Sequence, residues 1–314
     1  ESQNHAGWLD GAMGVIYGLE AARAIAEDPA TAQLGVDVAA WSDEEGHFGF
    51  FLGSRSMIGV LGEDEIDRAV DRTDGRPLRQ ALASAGLAHV PRRQLEAERY
   101  VGYAEAHIEQ GDVLDSEGLT IGVVTAIVGL WQYRIAFEGV QNHAGTTRMA
   151  IRKDAGVALT RLCHAIGEAF PTVAGPKSVW TTGRITLDPG APSIIPGGAE
   201  MLFQFRDTDP AILTALERTL EGLVADANRT GPCKVAMVNT SRSEPAIMDA
   251  RFQDAFERAA ERHTPGKHIR MPSGAGHDAQ HLARRIPSSM LFVPSIGGIS
   301  HHWSENTKDA DLVA

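Results

Sequence analysis

Apolar residues recur at helical spacing from residue 13 to 27, at Met13, Ile16, Leu19, Ala22 and Ile25. That period predicts an amphipathic helix. A largely apolar run over 34–41 predicts a strand that ends at Ser42-Asp43-Glu44-Glu45, and a second strand is predicted over 100–107, ending in His107. Both place acids or a histidine just past the C-terminal end of a strand, which is where open α/β sheets hold their ligands.

From about residue 130 the pattern changes. Strands are predicted over 132–137, 179–187, 199–206 and 234–238, and helices over 154–170 and 210–228. Asp209-Pro210 is a good N-cap and first-turn pair for the second helix. Pro189-Gly190 and Pro196-Gly197-Gly198 join the middle strands. The order β-α-β-β-α-β is that of a ferredoxin-like α+β sandwich, here inserted into a larger α/β domain that resumes near Thr240 with a helix over 249–263. The expected organisation is a first part of the larger domain over 1–125, an insertion over 126–239 and a second part over 240–314. No internal repeat or low-complexity tract interrupts it.

Composition narrows the function classes. The 314 residues are 43% hydrophobic and 22% charged, as in an ordinary globular protein with room for two cores. A net charge of -12 leaves no basic patch to neutralise phosphates, so nucleic acid is not the expected partner. No apolar run reaches the length of a membrane span. Two distant cysteines, Cys163 and Cys233, exclude a disulfide scaffold and fit a reducing, cytoplasmic setting. The chain opens without Met or a signal-like segment and stops at what reads as a helix start, so a piece of a longer domain, cut at both ends, is expected.

Four short stretches carry the chemistry: Leu9-Asp10-Gly11, Asp43-Glu44-Glu45-Gly46, Ala106-His107-Ile108-Glu109 and Ile299-Ser300-His301. They supply carboxylate and imidazole donors and no thiolate, the inventory of a catalytic rather than a structural metal site. Each has a plainer reading: Asp10 as a helix N-cap, the acidic pair as a solvated loop, His107 as a lone surface or core histidine. Adjacent Glu44 and Glu45 suggest that one binds metal while its neighbour handles protons.

With these residues placed, the chain resembles the hydantoinase/carbamoylase group of dinuclear-metal amidohydrolases, which includes allantoate amidohydrolases, N-carbamoyl-L-amino-acid hydrolases and β-ureidopropionases. The group lies within the aminoacylase and carboxypeptidase-like metallopeptidase superfamily. The resemblance rests on Trp8-Leu9-Asp10-Gly11-Ala12-Met13-Gly14-Val15, Asp43-Glu44-Glu45-Gly46, His107-Ile108-Glu109-Gln110-Gly111, Asn142-His143-Ala144-Gly145-Thr146-Thr147, Phe205-Arg206, Gly274-Ala275-Gly276-His277-Asp278-Ala279 and Gly297-Gly298-Ile299-Ser300-His301, in the family's order. It implies a mixed-sheet, metallopeptidase-like catalytic domain with an inserted dimerisation or lid domain. Asp10 resembles the carboxylate bridging two metal ions, Glu45 and His301 the other ligands of one ion, and His107 that of the second. Glu44 resembles the general base. His143 resembles the donor to the developing oxyanion, offered by a partner subunit, and Arg206 the clamp on a substrate carboxylate. Ser193, Gly276 and His277 resemble substrate-side groups. Two divalent ions per subunit are implied, zinc first, with manganese, cobalt or nickel as alternatives, and a homodimer formed through the insertion.

Three departures bear on these expectations. The family's further metal-binding His would precede this chain by two residues, leaving Glu1 as the acid that orients it. The family's Glu-Glu-Gly-x-Arg-Phe is replaced by Glu44-Glu45-Gly46-His47-Phe48-Gly49, and a frequent Gln and Asn are Leu130 and Ser193 here. His5, His47, His281 and His302 match no family ligand. The expected activity is hydrolysis of a linear amide or ureido C–N bond in a small carboxylate-bearing substrate such as an N-carbamoyl amino acid. An aminoacylase- or dipeptidase-like hydrolase, or a non-catalytic binding module on the same fold, is the alternative.

Overall fold

The computed structural model describes residues 6–314, which fall into two compact units. The first takes the described residues up to Ile127 together with Ala246–Ala314, and the second is Val128–Pro245. Glu1 and His5 lie outside the described residues.

In the first unit, helix α1 (Ala12–Glu27) is followed by three short helices, α2 (Leu52–Met57), α3 (Glu63–Arg68) and α4 (Leu78–Ser84). Strand β1 (Tyr103–Ile108), helix α5 (Val113–Glu117) and strand β2 (Ile121–Ile127) complete its first part. Gly14 lets α1 lie against β1, because a Cβ there would sit 2.6 Å from the Ala106 carbonyl oxygen. The expected strand over 34–41 is not formed. Leu34 is 56% exposed, and among the described residues the segment has no ladder partner. Apolar, extended sequence becomes a strand only when a neighbour supplies the hydrogen bonds. Trp41, at its end, does pack, donating through Nε1 to the Tyr103 hydroxyl at 3.0 Å.

The second unit runs β3 (Gly129–Glu138), the two-residue β4 (Asn142–His143), α6 (Ala155–Ala169), β5 (Val179–Asp188), the two-residue β6 (Ile194–Ile195), β7 (Gly198–Asp207), α7 (Pro210–Thr230) and β8 (Lys234–Ser243). The long strands form an antiparallel sheet in the order β5-β7-β3-β8. Along β7 every second residue is buried, the period of a sheet with one covered face. Tyr133, Ile135, Phe203 and Phe205 meet Leu159 and Leu162 of α6 and Leu213, Leu216 and Leu220 of α7 in one core. Asp154 and Asp209 cap the two helices through their side chains. The last strand continues five residues past the 238 read from the sequence, because its outer half is exposed and lacks an apolar signature.

The chain then adds β9 (Ala246–Ile247), α8 (Ala250–His263), β10 (His268–Ser273), α9 (Asp278–Leu282), β11 (Ser288–Val293) and α10 (Asp309–Leu312) to the first unit. Its sheet is mixed, in the order β1-β11-β2-β10 with β9 against β2. β1 runs parallel to β11 and β2 parallel to β10, while β11 and β2 are antiparallel. The nearly continuous burial of β2 and β11 marks strands covered on both faces. No described helix is long and apolar enough to cross a membrane.

Candidate metal centre

Leu9, Met13, Ile108 and Val293 pack as one apolar cluster, and it sets where the polar residues beside them emerge. Asp10 follows Leu9 directly. Gly11, at φ 72°, makes the turn into α1 and is its N-cap, with no side-chain capping bond. The plain N-cap reading of Asp10 is therefore not what the fold uses. Its carboxylate is 2% exposed and points instead at two histidines. Oδ1 lies 3.2 Å from His107 Nε2 and Oδ2 lies 3.3 Å from His301 Nε2. His301 Nε2 is also 3.1 Å from Glu45 Oε1. Ligand atoms of Asp10, Glu45 and His301 all fall within 4.8 Å of one another.

Local structure holds each donor. His107, near the end of β1, donates from Nδ1 to the Ile108 carbonyl at 2.8 Å, which leaves Nε2 as the atom facing Asp10. Glu45 lies in a loop organised by Asp43, whose carboxylate accepts from the backbone N–H groups of His47, Phe48 and Gly49. Asp43 and His301 both have left-handed backbones, at φ 58° and 54°, uncommon for residues other than glycine. Glu109 turns away and accepts from Val113 and Leu114 N–H at the start of α5, so this motif acid is structural. Gln110, also left-handed, brings Nε2 to 3.3 Å from both Asp10 Oδ2 and His301 Nε2.

The electrostatics are those of crowded, buried acids. Burial acts to raise the Asp10 pKa, but the His107 hydrogen bond and the charges of His107 and His301 hold it below the ordinary carboxylate value. Burial opposes charge on His107, and the Asp10 contact prevails and raises it. Glu44 is pushed up to about 9, first by burial and then by Glu45, Asp278 and Asp10. Burial and Glu105 push Asp278 up to about 7. Oxygen and imidazole donors converging within this negative field fit a divalent cation, which would supply the charge that protons and imidazoles supply here.

The remaining expected residues fall in three places. His277, read as a substrate-side group, is 2% exposed beneath His107, with ring centroids 4.6 Å apart. Its Nε2 donates to Ser273 Oγ at 2.8 Å, since that hydroxyl gives its own proton to the Ala275 carbonyl. Burial and the nearby His107 charge hold its pKa well below the usual value, so it backs His107 as a neutral ring. Gly276 is half-buried under Phe51, whose Cζ would stand 3.0 Å from a Cβ there.

His143, Ser193 and Arg206 belong to the second unit. Pairing of β4 with β6 brings the first two together, with Ala144 N–H donating to the Ser193 carbonyl at 2.9 Å. His143 Nδ1 accepts from Gly145 and Thr146 N–H, so the proton of the neutral ring sits on Nε2, which is thereby a donor. Arg206 leaves β7 on the face opposite the core, level with Leu130, and reaches Gln204 Oε1 at 3.4 Å. Burial lowers its pKa.

The matches to known proteins follow this geometry. A model of the peptidase family M20/M25/M40 matches residues 1–314. The allantoate amidohydrolase of Escherichia coli (strain K12) is 34% identical over 287 residues, covering 88% of this chain and 67% of that protein. The N-carbamoyl-L-amino-acid amidohydrolase of Paenarthrobacter aurescens is 31% identical over 99% of this chain and 76% of its own length. A crystal structure of an amidase of the hydantoinase/carbamoylase family from Burkholderia phymatum superimposes with a TM-score of 0.90. It is 47% identical, covering 100% of this chain and 76% of that one.

Proposed function

This chain belongs to the peptidase family M20/M25/M40, and from that premise we propose that it is an amidohydrolase of non-peptide C–N bonds. The bond is a linear amide or ureido linkage in a small carboxylate-bearing substrate, of the kind named for its allantoate and N-carbamoyl-L-amino-acid relatives. The observation that carries this reading is Asp10: one buried carboxylate offering a separate oxygen to each of two histidines. That is the arrangement a bridging ligand needs.

Asp10, Glu45 and His301 would hold one divalent ion, and Asp10 with His107 would contribute to a second. The nitrogen and oxygen donors suit zinc first and admit manganese, cobalt or nickel. When bound, such ions supply Lewis acidity that lowers the pKa of water and polarises a carbonyl. With divalent cations offsetting the neighbouring acids that raise its pKa, Glu44 would be ionised and, beside Glu45, would take the water's proton and deliver it to the leaving nitrogen. The partner subunit's His143 would donate from Nε2 to the carbonyl oxygen as negative charge builds there, and Ser193 and Gly276 are read as substrate-side groups. Arg206 holds the substrate carboxylate, a task its planar fork suits. The second unit, 128–245, serves as the dimerisation or lid domain, so the working form is a homodimer. Two free cysteines, Cys163 and Cys233, fit a cytoplasmic setting.

A substrate panel tests the class of bond. With zinc or manganese added, ammonia release is expected from ureido acids such as N-carbamoyl amino acids or allantoate. Release of free amino acid from N-acyl amino acids, with no ammonia from ureido acids, would move the protein to the aminoacylase class.

A further inference from the structure

Glu305 belongs to none of the motifs described above, yet it is 2% exposed. A carboxylate that deep is costly unless its oxygens are satisfied. Both are, and by the loops that carry the metal-centre residues. Asp10 N–H donates to Oε1 at 3.1 Å, and His301 N–H and Ser300 Oγ donate to Oε2 at 3.2 and 3.0 Å. One side chain thus ties together two backbones that are nearly the whole chain apart.

His301 has particular need of that tie. Its left-handed backbone is a conformation that non-glycine residues hold only where their surroundings enforce it. On the other side Gly7 closes over Glu305: a Cβ at Gly7 would collide with the Glu305 side chain. These bonds run to ligand backbones rather than to ligand side chains, so Glu305 acts through Asp10 and His301.

We propose that Glu305 is a positioning residue whose single carboxylate, by gripping both backbones, sets the spacing of Asp10 and His301 for metal binding. The proposal rests on the reading that those two residues bind metal.

Zinc affinity of the full chain, measured by competition with a chromophoric chelator, tests it, with far-UV circular dichroism reporting the fold. Glu305→Ala is expected to lower zinc affinity by about 10–100-fold, the usual cost of losing a group that orients a ligand. Glu305→Gln preserves shape and decides the matter where the alanine variant unfolds. Its one carbonyl oxygen can serve Asp10 or His301 but not both, so an intermediate loss is expected. Asp10→Asn is the reference and should abolish tight zinc binding. Unchanged zinc affinity in Glu305→Gln, with zinc lost in Asp10→Asn, would make Glu305 merely structural and overturn the proposal. Unchanged affinity in Asp10→Asn as well would overturn the metal-centre reading beneath it.

Discussion

Glu44→Gln is expected to keep the fold and the metal while lowering kcat by a factor of about 10²–10⁴, the usual worth of a general base. That corresponds to about 3–5 kcal/mol in the barrier. Glutamine has the same shape but cannot accept a proton from water, so it removes the function and little else. Metal should stay because Glu45, not Glu44, faces His301 Nε2 at 3.1 Å. The crowding around Glu44, with Glu45, Asp278 and Asp10 all acting on it, is also relieved rather than worsened by a neutral side chain. Steady-state kinetics with metal analysis of the same preparation checks both halves. Turnover within a few-fold of the parent would assign the proton transfer elsewhere, and loss of metal together with turnover would make Glu44 a ligand.

Arg206→Ala is expected to weaken productive binding of carboxylate substrates by about 2–5 kcal/mol, the range for truncating one partner of a buried charge pair. The guanidinium is half-buried on the face of its sheet away from the core, and burial disfavours its charge. The loss should appear in kcat/KM for carboxylates and be much smaller for an uncharged amide analogue. Leu130 lies opposite Arg206 in the ladder and adds an apolar side chain beside the guanidinium, so a substrate with a more apolar end than that of allantoate is expected. Equal losses on charged and uncharged substrates would show that Arg206 only supports its sheet.

That Asp10, Glu45, His107 and His301 come together was legible in the sequence because each sits in a short motif whose order is itself informative. The helices and central strands of the second unit were equally legible, since periodic burial writes itself into periodic apolarity. What stayed hidden depends on backbone conformation and on partners far along the chain. His277 looks like any exposed histidine in a glycine-rich turn, and only the packing of β1 against β11 shows it lying beneath His107. Glu305 reads as an ordinary polar residue until the fold brings it onto the backbones of Asp10 and His301. The run over 34–41 shows the converse failure. Its apolarity predicts a strand, but the ladder partner a strand requires is not encoded in the run itself.

Asp10 is proposed to bridge two metal ions, and anomalous diffraction from zinc-loaded crystals reads this out. Two peaks about 3.5–4 Å apart are expected. One Asp10 oxygen should contact each, with Glu45 and His301 on the first ion and His107 on the second. Zinc bound elsewhere, or a single ion with His107 still paired to Asp10, would contradict it.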